Sequence, residues 1–149
     1  MAPRPLPAVR KTWLVTVMWR LHRAAYRLSG GRLGGRLLGI PVLLLTTTGR
    51  RSGKPQTRAL TYFAEGKTFI VIASNGGEPA HPAWFLNLRA HPDVKVQIGR
   101  RLIGVRGREV QDAERERLWA WITSRQPSYA RYQARTSRRI PVVILEPDS

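Results

Sequence analysis

Two β-prone runs, TRALTYF (57–63) and TFIVIAS (68–74), are separated by AEGK alone. So short a link cannot return the chain for a parallel pairing, which takes about a dozen residues or more. The two runs must be antiparallel neighbours, with Gly66 in the turn. VKVQI (94–98) and LIGVRGREV (102–110) repeat this arrangement around GRR, and PVLLLTTT (41–48) and PVVILEP (141–147) add two apolar strands. Helical spacing marks PAWFLNLRAH (82–91), opened by Pro82 and stopped by Pro92. It also marks DAERERLWAWITSR (112–125), with Asp112 expected as N-cap and acids in the first turn. Strand pairs closed by tight turns, with few helices, predict an α+β chain. It is mainly antiparallel, a barrel or sheet rather than a βαβ series.

An N-terminal stretch, KTWLVTVMWRLHRAAYRLSGG (11–31), reads as an amphipathic helix. Leu14, Val17, Met18, Leu21, Ala25 and Leu28 fall on one line, Arg20, Arg23 and Arg27 fall off it, and Gly30 and Gly31 end it. The helix is too short and too charged to span a bilayer. It either packs on the domain core or lies on an anionic membrane with its arginines at the headgroups. Both produce the same pattern, and both stay open. The expected division is a basic helix and linker over 1–39, then one folded domain over 40–149. The expected location is the cytoplasm, peripheral on the inner face of the membrane under the second reading of the helix.

Charge narrows the partners. The 149 residues carry a net +17, and no Asp or Glu precedes Glu65. Such an excess attracts nucleic acid, anionic lipid or an acidic small molecule. The basic residues form no recognisable nucleic-acid module, which argues against specific nucleic-acid binding. Cysteine is absent, so disulfides, iron–sulfur clusters and thiol nucleophiles are excluded. His22, His81 and His91 lack ligand spacing, and no metal is expected.

Three segments carry candidate chemistry. TTTGRRSGKPQTR (46–58) follows a buried strand and gathers Arg50, Arg51, Lys54 and Arg58 on a glycine-bearing turn. Glycines let backbone N–H groups approach an oxyanion, and arginine offers a forked donor. A nucleotide-hydrolysing P-loop needs four residues between its glycines and a hydroxyl after the lysine; here there are three, then Pro55. Gln56 and Arg58 share one strand face and extend the anion site. In ASNGGEPAHPAWFLNLRAHPDV (73–94), Ser74 and Asn75 end a strand, and Gly76 and Gly77 form a turn. Trp84 and Asn87 are expected on one helical face, where indole and amide suit a flat heterocycle. Phe85, Leu86 and Leu88 read as core, and His81 as a residue that caps or lines the turn. In QPSYARYQARTSRRIPVVILEP (126–147), Tyr129 and Tyr132 are set to share one helical face. They can donate a proton, wall a cavity or simply pack. No Ser-His-Asp, Cys-His or paired-carboxylate set is visible, so a cofactor must supply the chemistry of an enzyme built this way.

Together these segments resemble the deazaflavin-dependent nitroreductases, actinobacterial split-β-barrel proteins that bind coenzyme F-420, from about Ile40 to Pro147. The resemblance implies an FMN-binding-like split barrel with peripheral helices. It implies hydride transfer from reduced F-420 to a quinone-like or nitroaromatic acceptor, with FMN a less suitable cofactor. A lipid-soluble quinone or another small hydrophobic acceptor is the implied partner, and the protein itself a monomer or homodimer. A non-catalytic F-420 carrier or membrane-associated sensor would use the same cofactor residues.

F-420 carries a phosphodiester and an anionic oligoglutamate tail. Gly49, Arg50, Ser52, Gly53 and Pro55 match the phosphate loop, with Arg51 for the usual Lys. The implied cofactor set continues through Gln56, Thr57, Arg58, Ala59, Leu60 and Thr61, then Ile72, Ala73, Ser74 and Asn75. It ends with Ala83, Trp84, Phe85, Leu86 and Asn87 over the ring and Tyr129 closing it. Ser74, Tyr129 and Tyr132 are the implied catalytic hydroxyls. The chain departs from the family at Gln56 (usually Arg), Ala59 (usually Pro) and Gln126 (usually Tyr).

Overall fold

The computed structural model describes residues 20–23, 36–37 and 40–148. Of the helix expected over 11–31, residues 20–23 are helical and the others lie outside the described residues. The strands are β1 (Arg36–Leu37), β2 (Ile40–Thr48), β3 (Pro55–Thr61), β4 (Phe63–Glu65), β5 (Thr68–Ile72), β6 (Asp93–Ile98), β7 (Arg101–Glu109) and β8 (Val142–Pro147). The helices are α1 (Ala83–Ala90), α2 (Asp112–Arg125) and α3 (Ser128–Ala134), and a 3-10 turn spans Asn75–Gly77.

Every strand pairing is antiparallel, as the short turns demand. The sheet runs β2-β6-β7-β8-β5-β4, with β3 also on β2. Residues 44–46 of β2 pair with both β3 and β6, so those two strands lie on opposite edges of β2. One correction follows. TRALTYF is not one strand but two, β3 and β4, broken at Tyr62. β3 pairs with β2 at one end of the sheet and β4 with β5 at the other. Chain continuity through Tyr62, whose N–H donates to Pro41 O at 3.0 Å, joins the two ends and curls the sheet into a split barrel.

The barrel interior takes one side of each strand: Leu43, Leu45, Val71, Val94, Val96, Val105, Val143 and Leu145, with Trp84, Phe85 and Leu88 of α1 as the plug. The opposite side of β5 and β8, through Ile70, Ile72, Val142 and Ile144, packs on Leu118 and Ile122 of α2 and Tyr129 of α3. Strands buried on both sides read as continuous apolar runs, which is the pattern of TFIVIAS and PVVILEP. A second correction concerns α2. Gln111 occupies its N-cap, and Asp112 follows it in a left-handed conformation, φ +52, as the first residue of the element.

Candidate functional site

Two loops and one helix frame the site. The first loop links β2 to β3 and folds back on itself. Gly49 N–H donates to Lys54 O and Gly53 N–H to Gly49 O, each at 2.8 Å. Gly53 has φ +70, a backbone that favours glycine, and a Cβ at Gly49 would crowd Ser52 Oγ at 2.5 Å and Lys54 O at 3.1 Å. Asn87 pins this loop from α1. Its Oδ1 accepts from Arg50 N–H and from Arg50 Nη1, both at 3.1 Å. Its Nδ2 donates to Gln56 Oε1 at 2.9 Å and to Thr47 Oγ1 at 3.3 Å. At 1% exposure the amide has every position filled.

Trp84 and Asn87 do share a face of α1, and it is the face turned into the protein. Trp84 is 6% exposed and sits in the barrel core with Phe85. Ala83 is exposed and Leu86 half-buried. Gln56, one of the departures from the family pattern, serves the loop by accepting from Asn87, which an arginine cannot do.

The strand after the loop divides its residues between two sides. Gln56, Arg58 and Leu60 stand opposite Thr47, Leu45 and Leu43, on the side of the barrel interior. Arg58 is exposed and reaches its own neighbour, Nη1 donating to Thr57 O at 3.3 Å. Thr57, Ala59 and Thr61 face the other way. Thr57 and Thr46 share a hydroxyl hydrogen bond of 2.9 Å, and Ala59 packs on Val42 and Leu44. Thr61 Oγ1 meets Tyr129 OH at 2.7 Å across the split. A single flat ring can lie against only one of these sides, and Thr61 and Tyr129 mark the second.

The other loop, at the end of β5, is built on three consecutive left-handed residues: Asn75 (φ +47), Gly76 (+65) and Gly77 (+80). A Cβ at Gly77 would meet Tyr132 O at 2.6 Å, so the turn lies flush against α3. The structure thus brings Ser74 and Asn75 to the helix that carries Tyr129 and Tyr132. Those two rings pack edge to face with centroids 6.0 Å apart. Tyr129 is 7% exposed, and burial pushes its phenol above the ordinary value, so it stays protonated and able to donate. Ile72 and Ala73, just before the turn, are buried on opposite sides of β5.

One residue escaped the reading of the sequence. Arg138 bonds the Ser74 loop through four contacts. Arginine is so abundant here that spacing gave no signal for it.

The site's chemistry fits an elongated anion ending in a flat ring. Among the described residues Arg50, Arg51, Lys54 and Arg58 form no ion pair, whereas Arg106, Arg108, Arg117 and Arg139 all face carboxylates elsewhere.

Residues 18–147 match the model of a family described as F-420H(2)-dependent quinone reductase. A quinone reductase of Mycobacterium tuberculosis with the same description is 45% identical over 130 residues, covering 85% of this chain and 87% of its own length. Among solved structures, an F-420-H(2)-dependent reductase superposes with TM-score 0.65 at 41% identity, covering 71% of this chain and 94% of that one. A chain described as a domain-swapped dimer gives 0.67 at 37% identity, covering 88% and 99%.

Proposed function

The chain belongs to the F-420H(2)-dependent quinone reductase family, and from that premise we propose that it carries a hydride from reduced F-420 to a quinone. The observation that carries the proposal is the Asn87-held loop. It presents four cations that form no ion pair among the described residues, in a domain where Thr61 reaches the Tyr129 hydroxyl and the turn after Ser74 lies against Tyr132.

Arg50, Arg51, Ser52 and the loop amides would hold the phosphodiester, with Lys54 and Arg58 extending the charge toward an acidic tail. Thr57, Ala59 and Thr61, with the Ser74–Asn75 turn, would set the ring. When bound, the reduced deazaflavin supplies the hydride. A quinone that accepts a hydride must also gain a proton to leave as the hydroquinone. Ser74, Tyr129 and Tyr132 are the hydroxyls that could hold that proton. In the orientation where Thr61 donates to the Tyr129 oxygen, the phenol proton is free to point at an acceptor.

The finer partner is a lipid-soluble quinone met at an anionic membrane. Leu21 is 65% exposed beside exposed Arg20, which favours the membrane reading of the N-terminal helix. No helix among the described residues is long and apolar enough to cross a membrane. The assembly is proposed as a monomer or homodimer, the latter supported by the domain-swapped relative.

The experiment is anaerobic mixing of the protein with reduced F-420 and a naphthoquinone, followed by deazaflavin absorbance. Catalytic oxidation of F-420 is expected. Tight F-420 binding without turnover would favour the carrier, and equal or tighter FMN affinity would sink the cofactor assignment.

A further inference from the structure

Arg138 follows α3 in the bend that leads to β8, and its guanidinium is spent on the segment Ala73–His81. Nη2 donates to Ser74 O at 2.7 Å, Nη1 to Ala73 O at 3.2 Å, and Nε to Glu78 O at 2.9 Å. Nη1 also donates to His81 Nδ1 at 3.1 Å. One planar side chain therefore spans both ends of the Asn75–Gly77 turn. Its own backbone is fixed in turn: Gln133 Nε2 donates to Arg138 O at 2.8 Å, and Gln133 Oε1 accepts from Ile140 N–H at 2.9 Å. Gly76 and Gly77 take left-handed backbone freely and Asn75 tolerates it, so the turn carries little strain but is open to other conformations unless its surroundings hold it. Gly77 against Tyr132 fixes one side of the turn, and Arg138 fixes its two ends.

We propose that Arg138 is a positioning residue for the cofactor site, its guanidinium holding Ser74 and Asn75 where they meet the ring, with neutral His81 as the latch that completes its hydrogen bonds. The inference rests on the function proposed above. A lysine cannot substitute, because one ammonium cannot span carbonyls at both ends of a turn. The latch depends on protonation. Nδ1 accepts from Arg138, so the His81 proton sits on Nε2. A second proton on the ring would turn the acceptor into a donor facing a guanidinium. Burial, then Arg138 from the bend and Arg89 from α1, hold the histidine below its ordinary value; Glu109 at the end of β7 opposes them, and the uncharged Phe85 ring lies alongside.

Two measurements decide it. Hydrogen exchange on the protein without ligand reports the turn, and fluorescence titration with F-420 reports the site. Arg138→Ala and Arg138→Lys are both expected to speed exchange at the amides of residues 74–78 and to weaken F-420 binding roughly tenfold or more. Millimolar guanidinium, but not ammonium, should restore part of the affinity to Arg138→Ala. Wild-type F-420 affinity in Arg138→Lys, or unchanged exchange in both variants, overturns the proposal. Wild-type affinity should fall as pH drops through the range where His81 takes its second proton, and His81→Gln, which keeps an acceptor, should remove that fall. An identical fall in both proteins also overturns it, and this arm decides alone should the Arg138 variants not fold. Failure of the wild type to bind F-420 would instead strike the proposed function, leaving the exchange result to judge the clamp.

Discussion

The two loops that frame the site are anchored by the same device and left in opposite electrical states. The 49–54 loop is held by Asn87, a neutral amide that reaches it from beneath. The 73–81 loop is held by Arg138, a cation whose donors are consumed by carbonyls and an imidazole. A neutral anchor leaves the loop's positive charge uncompensated, although it takes one Arg50 Nη1 donor for itself. A cationic anchor has four of its five N–H donors committed to the loop, so what it chiefly offers a ligand is the backbone and hydroxyls it has arranged. Neither net charge nor an arginine without a carboxylate locates the site by itself, since Arg100, Arg101 and Arg131 also form no ion pair among the described residues; the glycine-bearing loop held by Asn87 sets the first cluster apart.

The largest expected effect is on the first loop's charge. Replacing Arg50 and Arg51 together by Ala should weaken F-420 binding about a hundredfold, taking roughly 1.5–3 kcal/mol per charged hydrogen bond and discounting for exposure. Arg108→Ala, which removes an arginine already bonded to Glu114 and Glu146, should leave affinity unchanged. An equal loss in that control would mean that overall charge, and not the loop, attracts the cofactor.

Next comes the neutral anchor. Asn87→Leu leaves Thr47, Gln56 and Arg50 without their shared partner and should cost about 2–4 kcal/mol in denaturant unfolding. F-420 affinity should drop as well, although every loop cation remains. Retained affinity would show that the loop orders itself without Asn87.

A smaller effect is expected across the split. Tyr129→Phe keeps the packing and deletes the hydroxyl, and should lower kcat for a quinone by about tenfold with F-420 affinity nearly intact. Thr61→Val should move kcat the same way by a lesser amount, since it orients the phenol from one side only. If the two tyrosine variants, at 129 and 132, keep the wild-type rate, the rings are walls and the proton comes from Ser74 or water.

The smallest effect belongs to the paired face. Arg117 beside Glu65 and Arg108 beside Glu114 hold both carboxyls below the ordinary value of 4.5. A carboxyl lowered on folding contributes stability that is present above the unfolded value and is lost as pH falls through the folded one. Melting temperature should therefore sag slightly below about pH 4.5, and only slightly, because these pairs are exposed. Glu65→Gln should flatten part of that sag without altering F-420 affinity. A change in affinity would link the paired face to the site.

Local chemistry decided much of this protein in the sequence itself. A four-residue link forces an antiparallel hairpin, and β5 and β8 read as continuous apolar runs because both their sides are covered. Gly76 and Gly77 were legible as a turn because left-handed backbone selects glycine, whereas Asn75, read with Ser74 as the end of a strand, belongs to the turn, and β5 stops at Ile72. The basic loop and the tyrosine pair were legible as well, by their spacing and by resemblance. Tertiary structure alone decided the rest. TRALTYF alternates no differently on either side of Tyr62, so its break between two ends of the sheet follows from barrel closure and not from its residues. Helical spacing put Trp84 and Asn87 on one face but could not say whether that face looks outward, because a period carries no origin. An arginine at position 138 is one of many until the fold sets it within 3.2 Å of three carbonyls. The reason is range: turns and strand pairing act over a few residues, whereas Arg138 and Ser74 are 64 apart in the chain and meet only once the barrel has closed.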